Sequence, residues 1–369
     1  KRKLALLAAS MVFATALTEV VMSTLLATRT LTPYYRAQDK HEEDGGVQSG
    51  RGRYTANVDD VVDAPHGDNL ALDPFVPSIV KEPRAIVFKT DDRGHRNDAA
   101  YRGQALILSG DSFVVGTTTS QDDILVNVLR REYGIDTYSI AHPGAPKLYF
   151  SMVNYFLEEV NDAVSVLLFM FEGNDLVSTV PVREPAKPSR YDQLKIRFAK
   201  AVEPLYRSPA IIFNAYRQLE RRFYQRGDEV VEVCRVGRHF MGFYGPYIDM
   251  ACRRSLQVQV DVPQRVIERI KAVFFIPTKY RVYFDFLESG DRMGRRVVNP
   301  APGYVALEAF FGERGIPVID LTGPMRKTAR RLLEEDRYVF WRDDTHWNGN
   351  GIAVAAAEVA RFLEKMEQR

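Results

Sequence analysis

Cysteine is scarce in this chain. Cys234 and Cys252 are the only two among 369 residues, and neither has a histidine or second cysteine at metal-ligand spacing. That excludes a zinc-finger or zinc-ribbon reading, because a structural zinc site needs four such ligands. No metal and no organic cofactor is expected. Whether the two thiols form a bridge in an exported domain or stay apart in a core is left open. An excess of one charge is missing too. Lys+Arg 50 against Asp+Glu 48 leaves a formal net charge of +2, with the basic residues scattered, so no nucleic-acid partner is expected. Solenoid repeats are absent.

Long apolar runs are few, and one of them opens the chain. Lys1-Arg2-Lys3 precedes the stretch 4–27, about the length needed to cross a hydrocarbon core as a helix. Positive charge before it and none within it predict a retained single-pass anchor, N-terminus cytoplasmic, with the remainder outside. Arg29, Tyr34 and Tyr35 would lie at the far interface, so residues 1–35 form the anchor and its edge. Glu19 sits inside that stretch, where a carboxylate is costly unless protonated or partnered, and it points to a neighbouring membrane protein.

Residues 36–84 are polar, rich in glycine and acidic runs, and almost without periodicity; they read as a linker. From residue 85 the pattern alternates as a parallel sheet with helices on both faces does. Strands are expected at 105–109, 137–140 and 164–171, with helices at 122–134 and 147–160; residues 85–88 suggest a first edge strand. At 181–262 prolines and an aromatic, arginine-rich stretch interrupt the rhythm. This insertion offers a sugar-stacking or partner-docking surface, or simply its own small core. The rhythm resumes over 263–369, with strands at 272–276 and 316–321 and a final helix from about residue 351.

Four short motifs sit where these strands end. The apolar run Ala105 to Ser109 stops at Gly110-Asp111-Ser112, which presents a hydroxyl at a strand's carboxyl end, where open α/β sheets place their chemistry. His142-Pro143-Gly144 follows the second strand, Gly173-Asn174-Asp175 the third, and Asp343-Asp344-Thr345-His346-Trp347-Asn348 precedes the last helix. In this order they resemble the blocks of the SGNH (GDSL-like) hydrolase superfamily. Upstream, Thr90-Asp91-Asp92-Arg93-Gly94-His95-Arg96 looks like the lead-in of bacterial members found with polysaccharide-modifying machinery.

The resemblance implies a three-layer α/β/α, flavodoxin-like domain with a transmembrane anchor and an insertion. It also implies acyl-ester chemistry through an acyl-serine on Ser112, with His346 as base. The acid that orients His346 is expected to be Asp343, with Asp344 as competitor, since alginate-type O-acetyltransferases of the superfamily use the closer spacing. Oxyanion donors would be the Ser112 and Gly144 N–H groups and the Asn174 amide. His142 and Lys279 are further candidates, for substrate binding. The implied activity is O-acyl (acetyl) transfer or ester hydrolysis on a glycan, on the periplasmic side of a bacterial cytoplasmic membrane. The alternative is a structural subunit of a membrane complex in which catalysis is vestigial or lost.

Overall fold

The computed structural model describes residues 52–72, 79–160, 164–178, 231–254, 256–287 and 299–368, with Ser10, Phe13, Ala14, Leu17 and His41 before them. The chain divides into two units, Lys1–Pro33 with Pro181–Glu229 and Tyr34–Val180 with Val230–Arg369. The second holds nearly all the described residues. The expected anchor at 4–27, Glu19 included, lies almost wholly outside the described residues. Among those that are described, no helix is long and apolar enough to cross a membrane.

In chain order the strands begin with β1 (Asp59–Ala64) and β2 (Arg84–Lys89), which pair antiparallel as a ribbon. The expected strand at 85–88 is therefore present, but it pairs with β1 and adds no edge to the main sheet. Next come β3 (Leu106–Ser109), β4 (Tyr138–Ser139) and β5 (Ser165–Phe171), then β6 (Val177–Ser178). The part of the insertion that is described supplies β7 (Val231–Val236) and β8 (His239–Tyr244), an antiparallel hairpin, and the short β9 (Leu256–Gln257), which pairs with β6. The last two are β10 (Ile270–Ile276) and β11 (Val318–Asp320).

Five of these form one sheet in the order β11-β10-β5-β3-β4, every neighbouring pair parallel. Consecutive apolar residues make β5 and β10 central because both faces are covered. Leu167, Phe169 and Phe171 pack to one side with Ala272, Phe274 and Ile276. There they meet helices Leu125–Tyr133, Thr322–Leu333 and Gly349–Glu367. Val166, Leu168 and Met170 pack to the other side with Val273 and Phe275, against helices Pro146–Val160, Gln264–Ile267 and Val305–Gly312. The period of two within each strand thus sorts side chains between two cores.

The insertion is not wholly separate from this domain. Cys234, Val236, Met241 and Phe243 of the β7–β8 hairpin, with Ile248 and Ala251 of helix Gly245–Cys252, join the first core. Among the described residues there is no disulfide: Cys234 is buried and Cys252 half-buried. Residues 181–230 of the expected insertion, part of its aromatic and arginine-rich stretch among them, fall outside the described residues.

The carboxyl ends of β5 and β10 are bolted together by a buried ion pair. Glu172, just past β5, accepts from Thr278 N–H and Oγ1–H, each at 3.0 Å, and from Arg281 Nε at 2.9 Å. Arg281 Nη2 also donates to the Ala251 carbonyl at 3.1 Å. Removing one member of such a pair strands the other charge in a dry interior. Glu172→Ala is therefore expected to lower the unfolding free energy in urea by about 3–5 kcal/mol. A loss below 1 kcal/mol would mean that Arg281 finds solvent and the bolt carries little.

Candidate active site

Ser112 opens a single helical turn, Ser112–Val115, immediately after β3. Asp111 caps it, its Oδ1 accepting the Phe113 N–H at 2.9 Å. Gly110 matters here for close approach more than for turning, since its φ is not positive. A Cβ at that position would lie 2.7 Å from Val114 Cγ2 and 3.0 Å from the Phe169 carbonyl oxygen of neighbouring β5.

The lead-in motif holds this turn from behind. Arg96 is buried, and its guanidinium donates to the carbonyls of Val115, Gly116, Thr119 and Val87 at 2.7–3.0 Å. Burial pushes its pKa down to about 9, and four carbonyl acceptors offset the loss of water. Asp91 gathers the rest of the motif, accepting from the Arg93 and His95 N–H groups and from Tyr138 Oη.

His346 approaches from the loop before the final helix. Asn348 caps that helix, accepting from the Asn350 and Gly351 N–H groups. Trp347, fully buried, donates from Nε1 to the Phe113 carbonyl at 3.0 Å and fixes the loop to the serine turn. His346 Nε2 lies 2.7 Å from Ser112 Oγ, and its Nδ1 lies 2.6 Å from Asp344 Oδ1. One tautomer satisfies both contacts: Nδ1–H donates to Asp344, and Nε2 accepts from the serine hydroxyl.

The two aspartates exchange the places expected of them. Asp344 meets the imidazole; Asp343 turns away from it, accepting from the Gly67 and Glu82 N–H groups at 2.9 and 2.8 Å. Arg84 spans both, Nη1 on Asp343 Oδ1 and Nη2 on Asp344 Oδ2, each at 3.2 Å. The donors from 67–84 hold Asp343 away from the ring and leave Asp344 on it. Those donors come from the stretch read as a linker, which instead contributes β1, helix Asp68–Leu72 and Arg84 to this domain.

Asp68 is a site residue that the sequence reading missed. It is buried, its N–H donates to Asp344 Oδ2 at 2.8 Å, and its carboxylate accepts from the Thr345 N–H and hydroxyl. Its Oδ2 stands 3.6 Å from His346 Nδ1. Asp68, Asp344 and His346 bring potential ligand atoms within 4.8 Å of one another. The carboxylate oxygens already accept from protein donors, so the cluster is fitted to the imidazole. No motif flags Asp68; Gly67-Asp68 reads as an ordinary turn. Only the fold shows that Gly67 is needed, since a Cβ there would fall 2.3 Å from the Asp343 carbonyl oxygen.

The remaining expected site residues divide between the site's edge and its support. Gly144 and Asn174 are exposed, at the carboxyl ends of β4 and β5, on either side of β3 and Ser112. His142 is buried against Tyr54, ring centroids 4.8 Å apart, with Nδ1 2.9 Å from the Pro143 carbonyl oxygen. Burial lowers its pKa below the usual histidine value. Lys279 is buried as well. Its Nζ donates to the carbonyls of Arg342 and Asp344 at 3.1 and 2.9 Å, so it braces the loop and offers no open cation to a substrate. Burial lowers its pKa to about 8, against the opposing pull of Asp344 and Asp343.

Burial alone would raise the Asp344 carboxyl. His346, by charge and by hydrogen bond, and then Arg84 outweigh it and hold this group well below the usual carboxylate range. A depressed folded value means stability that is present above the unfolded value and is lost as pH falls toward the folded one. Wild type should exceed Asp344→Asn in unfolding free energy at pH 7, and the gap should shrink as pH drops below about 4. A gap independent of pH across that range would show that Asp344 is not held ionised by these partners.

Residues 269–369 match the family described as ALGX, the SGNH hydrolase-like domain of the acetyltransferase AlgX. The matched stretch contains Lys279, Asp343, Asp344 and His346, and the match agrees with the SGNH and alginate O-acetyltransferase resemblance of the motifs. No curated protein matches the chain.

Proposed function

We propose that this chain is a serine-dependent O-acyltransferase or esterase of SGNH type, acting on a glycan ester through an acyl-serine at Ser112. The observation that carries the reading is the continuous hydrogen-bonded line Ser112 Oγ–His346–Asp344, at 2.7 and 2.6 Å. A serine hydroxyl is a weak nucleophile at neutral pH and needs an adjacent base, itself oriented by a third group.

In the first half, Ser112 Oγ attacks the acyl carbonyl as its proton passes to His346 Nε2. Asp344 stays ionised and steadies the imidazolium through Nδ1–H. The proposed oxyanion donors are the Ser112 and Gly144 N–H groups and the Asn174 amide; such donors act where charge develops and need no reorganisation. The C–O bond to the leaving alcohol breaks, and Nε2 returns the proton to that oxygen. In the second half an acceptor hydroxyl gives its proton to Nε2 and attacks the acyl-serine; the acyl C–Oγ bond then breaks and Nε2 returns that proton to Ser112 Oγ. Water as acceptor gives hydrolysis, and a sugar hydroxyl gives transfer. The exposure of Gly144 and Asn174 supports an opening onto a bulky acceptor. The apolar stretch 4–27 supports attachment to a bacterial cytoplasmic membrane, with the domain on its periplasmic side and a membrane partner at Glu19.

Covalent labelling of the detergent-solubilised protein with a fluorophosphonate tests this reading. Wild type should label, Ser112→Ala and His346→Ala should not, and Asp344→Asn should label more slowly by on the order of 10³-fold or more. A folded wild type that resists labelling would favour a non-catalytic subunit of a membrane complex.

A further inference from the structure

Behind the edge that carries Gly144 and Asn174 runs a second polar line that the steps above leave unused. Tyr149, fully buried in helix Pro146–Val160, places Oη 2.5 Å from the Gly144 carbonyl oxygen and 2.8 Å from Asp175 Oδ1. The other Asp175 oxygen, Oδ2, accepts the Phe171 N–H at 2.8 Å. A tyrosine hydroxyl has a single hydrogen to donate. Directed at the Gly144 carbonyl, it leaves Tyr149 and Asp175 facing each other lone pair to lone pair. Directed at Asp175, it leaves the same mismatch at Gly144. Both contacts become hydrogen bonds only with one more proton, and of the three groups only Asp175 can carry it. Water cannot enter either direct contact, and where Tyr149 meets Asp175 the site is buried, so an unmade hydrogen bond there carries its desolvation cost.

A second carboxyl reinforces the count. Asp111, also buried, has an Oδ2 that no donor reaches among the described residues. Two carboxylates within reach of each other's charge in a dry site do not both ionise readily. Burial, and then the charge of Asp111, push the Asp175 carboxyl well above its ordinary value.

We infer that Asp175 is protonated in the folded protein and donates from Oδ1 to Tyr149 Oη, which in turn donates to the Gly144 carbonyl. This neutral relay locks the peptide beside the Gly144 N–H to the loop that bears Asn174. Asp175 and Tyr149 are positioning residues, because they touch no reacting atom. The relay's neutrality matters: a carboxylate here would set a fixed negative charge behind donors meant for an oxyanion. The functional part of the inference rests on the oxyanion role proposed above for Gly144.

Asparagine is the diagnostic substitution. Its oxygen can accept the Phe171 N–H and its nitrogen can donate to Tyr149, which reproduces a protonated acid and not a carboxylate. In the full chain, fluorophosphonate labelling of Asp175→Asn should stay within about threefold of wild type, while Tyr149→Phe and Asp175→Ala should fall about tenfold or more, with thermal unfolding reporting that each is folded. Infrared spectra with isotope-labelled aspartate should show a protonated-carboxyl band at neutral pH that is lost in Asp175→Asn and shifted in Tyr149→Phe. Asp175→Asn as impaired as Asp175→Ala, or a wild type without the band, would overturn the inference. Should wild type fail to label at all, the reading of Ser112 falls, and the infrared band still decides whether Asp175 holds a proton.

Discussion

Two adjacent carboxylates, Asp343 and Asp344, are buried to 0 % exposure beside the reactive serine, and much of the surrounding structure exists to make that tolerable. An unpaired buried carboxylate costs several kcal/mol, so each oxygen must find donors. The chain supplies backbone N–H groups from Gly67, Asp68 and Glu82, the forked guanidinium of Arg84, and the imidazole of His346. Arg84 is itself held over the ring of Trp341 at 4.3 Å. Lys279 then takes the Arg342 and Asp344 carbonyls of the same loop. The charge of Asp344 is thereby delivered to one place, His346 Nδ1, which aims Nε2 at Ser112.

The sheet supplies the complementary constraint. Three neighbouring parallel strands, β4, β3 and β5, carry Gly144, Ser112 and Asn174 in the segments that follow their carboxyl ends. The His142 N–H donates to the Gly110 carbonyl at 3.1 Å and ties the first two loops together. Arg96, from the lead-in motif, takes the carbonyls that the serine turn leaves open. Nucleophile and base are thus held from different directions by buried polar contacts.

Much of this was legible in the sequence. The strands that became β5 and β10 are apolar at every position that needs covering on two faces, and the motifs fall at strand ends because a parallel sheet puts its chemistry there. What escaped is what depends on distant partners. The choice between Asp343 and Asp344 turns on donors 259–276 residues away in sequence. Gly67, Asp68 and Arg84 carry no periodicity and no motif, so a segment that completes the site read as linker. Lys279 misled for a related reason. A cation after a strand resembles a ligand-binding group until its carbonyl partners are seen.

In the mechanism proposed above, Ser112 becomes acylated with His346 as its base. Acid-quenching the protein during turnover of an activated acetyl ester, followed by peptide mass spectrometry, reads that claim directly. Wild type should carry one acetyl group on the peptide containing Ser112, and His346→Ala none on that peptide. Ester turnover without an adduct on Ser112, or an adduct that persists without His346, would contradict it.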